Sequence, residues 1–103
     1  LDVEREEGMN LACVLHVDGT LTALDKREPT LEEMQKIVGG YIQMIEIMFL
    51  NEPGQMIMHE EGKIKELPVN HKATAIALSY SNIAKDDWIA GDVIILMGGA
   101  RMT

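Results

Sequence analysis

Two short stretches invite a chemical reading: Cys13 with His16, and Asn70-His71-Lys72. A Cys–His dyad needs thiol and imidazole within hydrogen-bond reach. Both residues lie in a segment that reads as a strand, where residues three apart point to opposite faces. That spacing gives neither a dyad nor a chelate, and Cys13 reads as a small buried hydrophobe. Asn70, His71 and Lys72 open a helical pattern. Backbone N–H groups at a helix start can hold an anion, and neighbouring cations would help. Capping by Asn70 is the plainer reading. Trp88 and Tyr80 flank a polar loop, as a ligand or partner patch or as core anchors. Core anchoring is favoured in a chain with one Trp, two Tyr and one Phe. The candidate ligand-binding set is therefore Asn70, His71, Lys72 and Trp88.

Other chemistries find less support. His16, His59 and His71 are spread over two strand patterns and a helix start. "HEE" at 59–61 lacks the second histidine of a helical zinc motif, so no metal and no cofactor are expected. The acidic pairs Glu32/Glu33, Glu60/Glu61 and Asp86/Asp87 are adjacent in sequence, on a helix start or in turns. Such pairs face water, whereas acid/base work needs carboxylates converging from separate elements. Glu46 interrupts an apolar strand. Buried, it would need a partner or a raised pKa, and edge exposure is the simpler expectation. Ser79 and Ser81 have no nucleophile elbow around them. The enzymatic alternative is a small hydrolase or nucleotide-handling enzyme. It would use His71 and Lys72 with Glu46 or Asp92 as acid/base group, at least two of them within hydrogen-bond reach.

These residues must be positioned by a modest set of elements. "LACVLHVDGTLTAL" (11–24) reads as a hairpin turning at Asp18-Gly19. Cys13, Leu15 and Val17 share one face of its first strand, and Ala12, Val14 and His16 the other. In "EPTLEEMQKIVGG" Thr30 and Glu33 form a capping box. Leu31, Met34, Ile37 and Val38 make a helical stripe, and Gly39-Gly40 a C-terminal exit. A phosphate loop would place glycines before a helix, not after it. "YIQMIEIMF" (41–49) is a long apolar strand, followed by a turn at "NEPG" (51–54). "QMIMHEEGKIKEL" predicts a second hairpin, with 56–59 opposite 64–67 about Glu61-Gly62. Pro68 ends it. Asn70 caps a helix over 71–80 with Ala73, Ile76, Ala77 and Tyr80 on one face. Val93 to Met97 form an uninterrupted buried strand after a turn at Gly91-Asp92. The fold class is α+β, a mainly antiparallel sheet with two short helices on one face, in approximate order ββαβββαβ.

At 103 residues the chain is one domain with a modest core. The expected division is a single domain over 9–103. Residues 1–8, "LDVEREEG", read as a cloning remnant or an acidic extension, with Met9 as the natural start. Nine basic residues against seventeen acidic ones give a net charge of −8, which argues against direct nucleic-acid binding and against anionic membranes. No apolar run approaches a membrane span. The single cysteine excludes a disulfide framework and suits a reducing cytoplasm.

Three segments in order, "LEEMQKIVGGYIQMI", "EEGKIKELPVNHKATAIA" and "IAGDVIIL", resemble a family of small phage and bacterial proteins catalogued as a domain of unknown function, DUF3846. The resemblance implies a phage or mobile-element gene acting in the host cytoplasm. It supplies no catalytic residue or cofactor. The expected function is thus that of a small non-enzymatic accessory protein and homo-oligomer, binding a basic host protein or a small anionic ligand. The motive for self-association is that a long apolar strand, 41–49 or 92–97, needs covering.

Overall fold

The computed structural model describes residues 11–24, 29–80 and 83–101. The expectations for residues 1–8 and Met9 lie outside the described residues. β1 (Leu11–Leu15) and β2 (Leu21–Ala23) form the first hairpin, α1 is Leu31–Val38, β3 is Ile42–Phe49 and β4 is Glu52–His59. α2 (His71–Ser79) and β5 (Val93–Met97) follow, and a short 3-10 turn, Gly98–Ala100, closes the chain. No helix among the described residues is long and apolar enough to cross a membrane.

The five strands make one antiparallel sheet in the order β2-β1-β5-β4-β3. β5 takes the centre, and all five of its residues are fully buried. Its odd positions Val93, Ile95 and Met97 join Cys13, Leu15, Ile47, Met56 and Met58 on one face, covered by Ala73 and Ala77 of α2. Its even positions Ile94 and Leu96 join Ala12 and Ile57 on the other, covered by Met34 and Val38 of α1. The two helices therefore lie on opposite faces of the sheet, not on one. A strand apolar at every position exposes a greasy surface on both sides unless each is covered. One helix per face meets that demand.

Two further expectations change. The hairpin β3–β4 turns at Leu50-Asn51, not at 51–54. Both residues have positive φ, 55° and 63°. They close the pair Phe49–Glu52, as in a two-residue type I′ turn. Pro53 and Gly54 then lie inside β4. Proline is tolerated there because Pro53 precedes the stretch of β4, Gly54 to Ile57, that pairs with β5. Residues 64–67 are not a strand either. Turn bonds from Lys65 N–H to Glu61 O and from Leu67 N–H to Gly62 O fold the segment back. β4 pairs instead with β5, which can bury both faces where "KIKEL" cannot. The expected order of elements otherwise stands, and between β4 and α2 Val69 forms an isolated bridge with Ala90.

Candidate functional site

The first cluster lies where β1 ends, β5 begins and α2 starts. Asn70 is fully buried. Its Oδ1 accepts from Ala73 N–H (3.0 Å), and its Nδ2 donates to Leu15 O (3.0 Å) and Gly91 O (2.9 Å). Its polar atoms are thus spent on backbone, and it joins three segments rather than facing a ligand. Lys72 is exposed and donates from Nζ to Gly19 O at 3.2 Å. His71 is exposed beside it.

The same register that pairs Leu15 with Val93 sets His16 beside Asp92. Asp92 Oδ2 lies 2.9 Å from His16 Nδ1, and its Oδ1 accepts from Val17 N–H at 3.0 Å. A carboxylate only accepts, so Nδ1 carries a proton, and in the neutral ring Nε2 accepts from the Thr22 hydroxyl at 2.8 Å. The order carboxylate, imidazole, hydroxyl is that of a hydrolytic triad. Here, however, Thr22 sits on an exposed edge strand, and neither groove described below is lined by any of the three residues. The trio latches the β1–β2 hairpin to the loop before β5. Asp18 at the hairpin tip accepts from Thr20 N–H and Oγ1–H. Those bonds hold its carboxyl below the usual aspartate range.

The second cluster surrounds the exit of β4. His59 is 8% exposed, and its Nδ1 accepts from Glu61 N–H at 2.9 Å. The two glycines after α1 divide the labour beside it. Gly39 takes the left-handed conformation, φ 91°, and returns its N–H to Gln35 O. Gly40 makes room, since a Cβ there would stand 2.5 Å from His59 Nε2. A groove of about 280 Å³ runs past Gln35, Gly40, Tyr41, His59, Glu61 and Lys65. A second, about 310 Å³, shares His59 and Glu61 and is walled by Met58, Ile64 and Trp88. Trp88 is 41% exposed and Tyr80 45%, so neither anchors the core. The Lys63 ammonium lies 4.8 Å from the Trp88 ring centre and is ion-paired to Asp87. Its hydrogen bond holds the Asp87 carboxyl below the ordinary range.

The sequence-derived set therefore divides. Asn70, His71 and Lys72 belong to the first cluster and Trp88 to the second. Asp92 and Lys72 direct their bonds to the β1–β2 hairpin, not to each other, while Glu46 lies exposed on β3, at the far edge of the sheet.

A family model for a domain of unknown function, DUF3846, matches residues 9–102. The chain belongs to the DUF3846 family. No curated protein and no solved structure matches it. Two features of this DUF3846 domain escape sequence reasoning. The His16–Asp92 pair requires the β1–β5 register, which joins residues 76 positions apart. The seating of His59 requires that the α1 exit and the β4 exit meet. The only local hint was a second glycine beyond the one that a helix cap uses.

Proposed function

We propose that the protein is a small non-enzymatic accessory protein that acts by binding, assembled as a homodimer across the free edge of β3. The observation that carries this reading is the edge itself. The two-residue turn makes Phe49–Glu52 a hydrogen-bonded pair, so every second residue from Phe49 back to Gln43 bonds to β4. Ile42, Met44 and Met48 consequently direct their N–H and C=O groups away from the sheet. Met44 is 41% and Met48 39% exposed. β3 carries neither lysine nor proline, and its one charge is Glu46. Pairing two copies antiparallel about Ile45 sets Met44 opposite Glu46 of the second copy and keeps the two glutamates from facing each other. The other long apolar strand, β5, already has neighbours on both sides.

Met44→Pro tests this. The proline removes an N–H that β4 does not use, so the subunit keeps its ladder while the edge is blocked. Size-exclusion chromatography with light scattering is expected to show a dimer for the wild type and a monomer for Met44→Pro, with unchanged circular dichroism. Met48→Lys serves as a second, milder block. A wild type that stays monomeric at all accessible concentrations sinks the reading.

A further inference from the structure

His59 holds a donor that no other described residue uses. Because Nδ1 accepts from Glu61 N–H, the neutral ring carries its proton on Nε2. No acceptor among the described residues meets that Nε2. Every buried side-chain N or O atom among them has a partner, so Nε2 reaches solvent through the groove it lines. It is a solvent-reaching donor on a side chain nine-tenths buried, with no acceptor among the described residues. Lys65 and Gln35 flank it with further donors. A peptide carbonyl suits this place better than a full anion, since Glu61 and the carbonyl end of α1 stand beside it.

The adjoining groove has the opposite preference. Its walls are Met58, Ile64 and Trp88, and its rim carries Glu60 and Glu61, neither ion-paired among the described residues. Lys63, the lysine on this rim, is neutralised by Asp87. It already holds one face of the Trp88 indole, so an incoming cation takes the other face or displaces Lys63. At about 310 Å³ the groove lies at the small end of the range for ligand sites. A guanidinium fits these walls better than an ammonium: it is flat, weakly hydrated and forks onto carboxylates.

We propose that the His59–Trp88 end of the molecule captures an arginine of an extended segment of a basic partner protein, its guanidinium at Glu60, Glu61 and Trp88 and its main-chain carbonyl on His59 Nε2. The net charge of −8 draws such a partner and disfavours an acidic one. This rests on the reading that the protein acts by binding, and not on the dimer, because one chain supplies the whole groove.

Trp88 is the only tryptophan, so its indole N–H signal reports on the groove directly. The probe is the blocked peptide acetyl-Gly-Arg-Gly-amide, titrated by ¹H–¹⁵N NMR against its citrulline and glutamate counterparts. Saturable shifts at Trp88, Gly62 and the His59 ring are expected with arginine. Citrulline, the neutral isostere, is expected to bind about tenfold more weakly. The double variant Glu60→Gln/Glu61→Gln should weaken the arginine peptide by a similar factor while leaving the rest of the spectrum superimposable. Equal binding of the citrulline peptide, or shifts centred away from Trp88 and His59, overturns the proposal. Met44→Pro is expected to bind the peptide as the wild type does. A monomeric wild type that still binds it would therefore remove the dimer and leave the arginine site standing.

Discussion

Asn70 holds three segments together with one side chain. Its amide satisfies a carbonyl at the end of β1, a carbonyl before β5 and an N–H in the first turn of α2. Asn70→Ala strips all three in a site without solvent, and each buried polar group left unmatched costs about 1–3 kcal/mol. Relaxation recovers part, so a loss of about 3 kcal/mol is expected in urea unfolding. The capping role was legible from the residue type alone. The other two bonds were not, because Leu15 and Gly91 are distant in sequence. Cys13 is the converse case, an ionisable group that the fold keeps silent. Burial pushes its thiol above the ordinary cysteine range. As pH rises past about 8.5 the unfolded thiol ionises first, so the unfolded state gains and stability falls until the folded thiol also ionises. Cys13→Ser should lose that alkaline slope in unfolding curves at successive pH values. Folded protein should react with a thiol reagent only as fast as it opens.

At the scale of elements, local chemistry defined the caps and the tertiary contest defined the partners. The capping box of α1 forms as Thr30 and Glu33 dictate. The β3–β4 turn forms despite its sequence, with Leu50 held at positive φ and 64% exposed. A left-handed β-unbranched residue costs about 1 kcal/mol, and asparagine tolerates that position best after glycine. Leu50→Asn is thus expected to raise stability by about 1 kcal/mol, read from the urea midpoint at unchanged slope. The Asn-Glu-Pro-Gly stretch looked like the turn because its residues favour turns individually. Eight consecutive β3–β4 pairs outweigh those local preferences and move the reversal two residues upstream. The same competition turns 64–67 out of the sheet. As a strand, 64–67 would put Glu66 beside Ile64 on one face and Lys65 beside Leu67 on the other, so it can bury neither, and the place beside β4 is buried on both.

At the scale of the whole molecule, charge and edge act against each other. Each copy carries −8, so two copies repel until salt screens them over about 8–10 Å. The β3 dimer should therefore tighten as salt is raised, whereas arginine-peptide binding at Glu60 and Glu61 should weaken. Opposite salt responses of light-scattering mass and Trp88 shifts would separate the two surfaces within one preparation. A dimer that loosens with salt would place its interface on charges and not on the methionine-rich edge.

The sequence by itself determined the α+β class, the β1–β2 hairpin, both helices with their N-caps and the full burial of residues 93–97, because each follows from periodicity or capping chemistry within a dozen residues. Only the tertiary structure decided that the helices take opposite faces, that β5 and not 64–67 pairs with β4, that His16 meets Asp92, and that His59 ends beside Gly40 with an N–H that no described residue accepts. Those outcomes turn on which strand wins a shared neighbour. That choice is made by burying two faces at once, a quantity no single segment carries.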